Sequence, residues 1–162
     1  MSLSASFGVN YLKTFTTDNN LSLPAKINDR GSSKVGEFVF VQADGTIAQY
    51  AFVKISDDGQ AVELTTTNAG SNSLQVGVAQ VAAADNEYLW VWVGGFDGGG
   101  VGTGIKGKCA ASYAADANLN TTATAGVADD ASTTLIKNVV GLTTLTGAGT
   151  VELKSQGFLS VN

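Results

Sequence analysis

Short runs rich in Val, Ile, Phe, Tyr and Thr dominate the hydrophobic pattern of this chain, and glycine or small polar residues separate them. Such a pattern favours strands joined by turns over a helical bundle. It predicts strands over residues 37–41, 46–55, 61–64, 74–81, 87–96, 135–145 and 150–154. Asp44-Gly45 predicts a hairpin between the first two strands, and Asp57-Asp58-Gly59 predicts the next turn. We therefore predict an all-β fold that begins as a meander.

The segments between these runs are less regular. Residues 65–72 are polar and predict a loop, and residues 94–107 predict a glycine-rich surface loop that is either mobile or tightly folded. Residues 108–113 fit either a strand or the start of a short helix. The threonine-rich residues 119–125 precede a turn at Asp129-Asp130.

Residues 87–96 are the most distinctive strand because they hold both tryptophans of the chain. Side chains alternate between the faces of a strand, so Tyr88, Trp90 and Trp92 share one face and three aliphatic residues share the other. Neither face is polar, so both must be covered by protein. Three large aromatic side chains left open would expose roughly 450–750 Å². We expect another subunit or the N-terminal segment to cover them, which makes the three aromatic residues candidates for self-association.

The N-terminal residues 1–33 are predicted to be an arm, and residues 34–162 the β domain. Phe7, Tyr11 and Phe15 recur every four residues, which is a helical spacing, but neighbouring glycine and threonine residues disfavour a helix. We expect a partly extended arm, whose aromatic residues are anchors and further interface candidates.

Two parts of the chain resemble each other. Val76-Gly77-Val78 matches Val140-Gly141-Leu142, and each is followed by a strand that ends in Gly-Phe, at Gly95-Phe96 and at Gly157-Phe158. The first motifs are 64 residues apart (76 to 140) and the second are 62 apart (95 to 157). This order indicates a duplicated β-unit, in which only the first copy carries an aromatic face.

Composition narrows the functional classes. Charged residues make up 14% of the chain, about half the usual quarter, which is more typical of proteins in assemblies than of free enzymes. The net charge of −5 and the single arginine, Arg30, argue against nucleic-acid binding. No run approaches the ~20 apolar residues that span a membrane, and residues 1–6 show no signal peptide. We expect a soluble protein, made in a cytoplasm, that binds neither nucleic acid nor membrane.

The residue types also argue against catalysis. The absence of histidine excludes Ser-His-Asp and Cys-His nucleophile activation and removes the commonest zinc ligand. Cys109 stands beside alanines and is expected to be a small packed residue without a disulfide partner in the chain. The acidic pairs Asp57-Asp58 and Asp129-Asp130 fall at predicted turns. We predict no enzyme activity, no cofactor and no bound metal.

The glycine-rich loop matches two phosphate-binding patterns. Residues 102–107 fit G-x-G-x-x-G, and residues 102–108 fit G-x-x-x-x-G-K. However, Cys109 stands where a P-loop offers a hydroxyl to Mg²⁺, and the loop follows its strand at a distance where nucleotide-binding folds use a tight turn. With 20 glycines in the chain such matches arise easily, so a surface loop is the favoured interpretation.

Five segments occur in an informative order: Gly36–Val41, Val76–Ala79, Lys106–Cys109, Thr122–Asp130 and Val139–Leu142. This order resembles that of bacteriophage capsid decoration (cement) proteins, over about residues 34–158. The resemblance implies a small Gly/Thr-rich β-barrel or β-tulip-like domain that forms homotrimers on the outer capsid surface. It also implies a terminal arm that reaches a neighbouring capsid protein, and it carries over no catalytic residue.

The expected function is therefore that of a non-enzymatic virion structural protein that binds the major capsid protein at the capsid surface and stabilises the shell. One alternative is a carbohydrate- or receptor-binding module of a phage tail or fibre, with Tyr88, Trp90 and Trp92 as a platform for glycan stacking. Another is a nucleotide-using enzyme that binds through the glycine-rich loop and Lys108.

Overall fold

Strands dominate this computed structural model, in which residues 9–17, 23–70, 75–131 and 133–161 are described. These residues form twelve strands and one short helix, α1, at Thr66–Ala69. The strands are β1 (Thr14–Phe15), β2 (Arg30–Ser33), β3 (Gly36–Ala43), β4 (Phe52–Ile55), β5 (Gln60–Glu63), β6 (Gln75–Ala79), β7 (Tyr88–Gly95), β8 (Lys106–Cys109), β9 (Asn118–Thr121), β10 (Ala128–Asp129), β11 (Leu135–Gly141) and β12 (Gly149–Val161). The predicted all-β class is confirmed.

The strands belong to one mixed sheet that closes on itself. A ring of six strands runs through β3, β5, β4, β6, β12 and β7 and returns to β3. β-branched and aromatic residues fill these strands, because they fit an extended backbone with buried faces. β2 adds to the ring antiparallel to β3, and β1 adds antiparallel to β7.

The strand pairing repeats within the chain, with β3 to β7 as a first unit and β8 to β12 as a second. In each unit the first strand is antiparallel to the fifth and parallel to the third. The second strand is antiparallel to the third and the fourth, and the fourth is antiparallel to the fifth. These five pairings correspond one for one, which supports the duplication inferred from the Gly-Phe strand ends.

The two units meet where their Gly-Phe strand ends face each other. Gly95 of β7 pairs with Gly157 of β12, and Gly94 pairs with Phe158. β12 is 13 residues long and continues past this point to pair with β6 as well. One strand therefore closes the second unit and joins it to the first.

β7 lies between two hydrophobic cores, which explains a strand that is apolar on both faces. Its tryptophans belong to the larger core, which continues into the second unit. Its aliphatic side chains belong to a smaller core within the first unit. The members of this smaller core on β3 and β7 are Val39, Val41, Ala43, Leu89, Val91 and Val93. Each face of β7 is thus covered by residues of the same chain.

The hairpin predicted at Asp44-Gly45 is not formed, and that prediction was wrong. β3 pairs in parallel with β5 instead of antiparallel with β4. The chain turns again before β4, where Tyr50 takes a positive φ of 63°. An extended strand cannot continue through this conformation, so the strand predicted over residues 46–55 begins only at Phe52.

Two further segments take a more definite structure than the sequence predicts. Within the predicted loop at residues 65–72, Thr65 and Asn68 form a capping box that starts α1. The Asn68 N–H donates to the Thr65 hydroxyl at 3.1 Å, and the Thr65 N–H donates to the Asn68 side chain at 2.7 Å. The segment that fitted either strand or helix is β8 as far as Cys109, followed by a turn.

Candidate functional site

The aromatic face of β7 is buried inside the chain. Trp92 is 0% exposed, and its indole Nε1 donates a hydrogen bond of 3.0 Å to the carbonyl oxygen of Val35. Trp90 is 8% exposed, and Tyr88 is half-buried. Phe40 of β3 packs on both, with ring centroids 5.1 Å from Trp90 and 6.0 Å from Tyr88. A glycan-stacking platform needs open ring faces, which the two tryptophans do not offer.

The N-terminal segment covers this face. β1 pairs with β7, Tyr11 stacks on Phe38 with ring centroids 4.8 Å apart, and Phe15 meets Phe40 edge-on at 5.9 Å. Of the two covers expected from the sequence, the structure shows the arm of the same chain, with its aromatic residues as anchors. A role of these residues in self-association stays a prediction, and Phe7 lies outside the described residues.

A second part of the predicted arm also contacts the sheet. Its last four residues are β2, which pairs with β3 along its whole length. Arg30 of this strand lies over the ring of Phe158, with its guanidinium carbon 5.1 Å from the ring centroid. Leu12 differs from its neighbours, because its side chain is 64% exposed between the two anchored aromatic residues. Leu12 thus leaves an apolar group of the arm open to solvent.

The glycine-rich loop after β7 is tightly folded. The Gly100 N–H donates to the carbonyl oxygen of Leu153 at 2.8 Å. The N–H groups of Gly102 and Gly104 donate to the Glu152 carboxylate, at 3.0 and 3.5 Å from Oε1. A phosphate-binding loop needs free N–H groups and no carboxylate among them. This loop is therefore not arranged to hold a nucleotide.

The same loop carries the largest hydrophobic exposures among the described residues. Phe96 is 93% exposed, and Val101 also projects into solvent. Asp97 forms an ion pair with Lys154 of β12, which ties the loop to the six-stranded ring of the sheet. The sequence pattern predicts Phe96 only as the end of a strand. The order Gly-Phe-Asp-Gly is the signal for its exposure, because the flanking glycines let the chain turn and the phenyl ring leaves the sheet.

An apolar groove lies at the opposite end of β12. Its volume is about 410 Å³, and it lies between the end of β8, the start of β12 and residues 124–127. Ala110, Val127 and Ala148 contribute apolar walls. Lys108 is the one charged side chain among the described residues that line it. The sequence offered no signal for this groove, because its walls come from three distant segments.

Burial changes the titration of Cys109, which lines this groove, and of Tyr113. Burial, with a smaller contribution from the carboxylates of Asp129 and Asp130, raises the pKa of the Cys109 thiol to about 12. Burial likewise raises the pKa of Tyr113 to about 12, against a hydrogen bond with the Gly141 backbone that lowers it. A thiol with this pKa is protonated near neutral pH and is a poor nucleophile. Cys109 is therefore a packed core residue.

We expect the Cys109 thiol of the folded chain to be inert to a disulfide reagent such as DTNB at about pH 8. The reactive species is the thiolate, whose formation needs a far higher pH in the folded chain than in the unfolded chain, where the pKa is about 8.5. The absorbance of the thionitrobenzoate that is released measures the extent of the reaction. After unfolding in guanidinium, one equivalent of thiol per chain should react. The Cys109→Ser variant, which has no thiol, is the control for background absorbance. Rapid labelling of the folded chain would contradict the burial.

Asp57 and Asp58 lie in a turn, as predicted. Asp129, for which a turn was also predicted, is instead the last residue of β10. Asp58 accepts a hydrogen bond from the Ser56 hydroxyl, and this bond holds the pKa of the Asp58 carboxyl below its usual value. Asp130, which follows β10, accepts a hydrogen bond of 2.8 Å from the Ala114 N–H. Asp58 thus orders its own turn, whereas Asp130 ties the end of β10 to a residue 16 positions earlier in the chain.

Comparisons with known proteins add no relative. No protein-family model, no curated protein and no solved structure matches this chain. Among residues 9–17, 23–70, 75–131 and 133–161, no group of three or more acidic, cysteine or histidine side chains is placed to hold a metal ion. Within the same ranges no helix has the length and apolar character that crossing a membrane requires.

Proposed function

We propose that this chain is a non-enzymatic virion structural protein that binds the outer surface of a phage capsid, as a decoration or cement protein does. The position of the resembling segments in the fold supports this proposal. Gly36–Val41 and Lys106–Cys109 fall on the first strands of the two units, and Val76–Ala79 falls on the fourth strand of the first unit. Val139–Leu142 comprises the last three residues of the fourth strand of the second unit and the residue that follows it. These four segments thus lie on strands of a small all-β domain, which is the kind of domain that the resemblance implies.

The fifth resembling segment, Thr122–Asp130, connects the units. The Phe52 N–H donates to the carbonyl oxygen of Gly126 at 3.0 Å, and the Gly126 N–H donates to that of Leu64 at 2.9 Å. Both bonds join the second unit to β4 and the residue that follows β5. Together with β12 they make the two units one body, which suits a protein that reinforces a shell by holding its own shape.

The proposed mechanism is mass action and needs no catalytic group. A ligand that binds only the assembled shell stabilises it by about 2.7 kcal/mol at a free concentration of about a hundred times Kd. The proposed partner is the major capsid protein, met at the capsid surface after synthesis in the host cytoplasm. A homotrimer would strengthen attachment, because linked copies rebind at a high effective concentration.

The arm supplies a testable capsid contact at Leu12. Purified protein is expected to co-sediment with undecorated capsids of the virus that encodes it and to raise their melting temperature. Leu12→Asp is expected to weaken this binding by about tenfold or more, because a buried apolar contact is replaced by a charge. The melting temperature of the free variant should match that of the wild type, since the Leu12 side chain is exposed.

Thr143→Asp is the matched control, because it adds the same charge at an exposed position in the second unit. It is expected to bind capsids as the wild type does. Absence of wild-type co-sedimentation would refute the capsid proposal itself. Normal binding by Leu12→Asp would refute only the contact through the arm.

A further inference from the structure

We infer that copies of this chain join head to tail, with Phe96 of one copy seated in the apolar groove at the start of β12 of the next copy. The inference rests on the self-association in the proposed function, and it does not require the capsid. Its two parts are an exposed ring on a fixed loop and an open apolar groove, both on the surface of one chain.

The ring is prepared for binding before a partner arrives. Phe96 is 93% exposed, and the residues after it are held by the Asp97–Lys154 ion pair and by the Gly100 hydrogen bond to β12. A preordered loop loses little conformational freedom on association, so more of the burial energy remains for affinity. An aromatic side chain of this kind buries about 150–250 Å² when a partner encloses it.

The groove fits such a ring in size and chemistry. Its volume of about 410 Å³ is in the range of about 300–1,000 Å³ found for pockets that hold small ligands, so a phenyl ring can enter it. Ala110, Val127 and Ala148 present small apolar groups that leave room for a flat side chain. Aromatic residues seated in pockets of this type are the common anchors of protein interfaces.

Strand register places the ring and the groove at different positions along β12. Gly157 of β12 lies opposite Gly95, next to the ring, whereas Gly149 lies opposite Cys109, at the groove. These two positions are eight residues apart on one strand (149 to 157), or at most about 26 Å at about 3.3 Å per residue. Phe96 is 93% exposed and so does not occupy the groove of its own chain, which makes the Phe96 of a second copy the proposed occupant. A contact between two different surfaces of identical chains generates a closed ring when the rotation closes.

Charge complementarity also favours a second copy as the occupant. Asp97 follows the ring directly and its side chain is largely exposed although it pairs with Lys154. Lys108 is the charged side chain that lines the groove, while the carboxylates of Asp129 and Asp130 act on the Cys109 thiol in its wall. Docking of Phe96 brings this acid towards that lysine, which orients the contact and disfavours the reversed arrangement.

Light scattering during size exclusion tests the inference on two variants, each of which removes one half of the contact. Phe96→Ser removes the ring, and Ala148→Trp fills the groove from an exposed position. Wild type is expected to elute as an oligomer and each variant as single chains. An equimolar mixture of the variants is expected to form dimers and nothing larger, because only one intact ring and one intact groove remain per pair.

Any of three results would overturn the inference. The wild type could elute as single chains, the Phe96→Ser variant could still elute as an oligomer, or the mixture of the two variants could remain single chains. Leu12→Asp is the control and should keep the wild-type mass while its binding to capsids is weakened. If wild type is a single chain and Phe96→Ser abolishes capsid co-sedimentation, the ring belongs to the capsid contact instead. The mass of the free protein tests the head-to-tail contact and co-sedimentation tests capsid binding, so either proposal can be refuted without the other.

Discussion

Trp92→Ala is expected to lower the free energy of unfolding by about 3–5 kcal/mol, the usual cost of removing a large aromatic side chain from a core. The indole is fully buried and belongs to the core that runs from the first unit into the second. Its loss also removes the hydrogen bond to Val35, but that carbonyl oxygen still accepts from the Gly99 N–H at 2.8 Å. The unfilled cavity therefore accounts for most of the effect. Urea unfolding followed by circular dichroism measures it.

Two other variants separate the causes of this loss. Trp92→Phe keeps an apolar ring but no donor, and we expect it to cost less, about 1–3 kcal/mol. Phe158→Ala removes a ring that is half exposed, and we expect a change of about 1 kcal/mol or less. If Trp92→Ala were no more costly than Phe158→Ala, the indole would not be part of the core.

Local sequence predicted the fold where neighbouring residues decide the conformation. Asp57-Asp58-Gly59 does form the turn of an antiparallel pair, β4 with β5. Asp44-Gly45 carries the same type of turn signal but does not form a hairpin, because β3 takes β5 as a parallel neighbour. A turn signal fixes where the chain bends. The partner of each strand depends on burial and pairing across the whole sheet, which the local pattern does not contain.

The same limit applies to the candidate surfaces. The apolar residues on both faces of the strand at 87–96 predicted that protein covers both sides, and the structure agrees. The pattern did not decide between the arm and a second subunit, because Tyr11 and Phe15 lie more than 70 residues before the strand they cover (88 − 15 = 73). Phe96 and its proposed groove were not foreseen at all. Both depend on the register of β12, a property of the folded chain.

The glycines at the two Gly-Phe strand ends indicated the duplication from the sequence. Gly94, next to the first of these ends, supports a second prediction with a large expected effect. Gly94→Ala is expected to lower the free energy of unfolding by about 2–5 kcal/mol, the sum of a strained backbone and an overpacked contact. Gly94 has a φ of 88°, and a Cβ there would lie 2.6 Å from the carbonyl oxygen of Gly157. The clash involves backbone on β12, where the two units meet, so neighbouring side chains cannot relieve it by rotating.

Gly102→Ala separates the steric clash from the backbone strain. Gly102 has a similar φ of 75°, but a Cβ there would meet no atom within 4 Å. We expect this variant to lose only about 1–2 kcal/mol, the cost of a left-handed backbone in a residue with a Cβ. Urea midpoints of both variants measure the difference. Equal losses would mean that β7 and β12 do not approach closely at Gly94, whereas a larger loss for Gly94→Ala indicates that close packing of the two strands holds the units together.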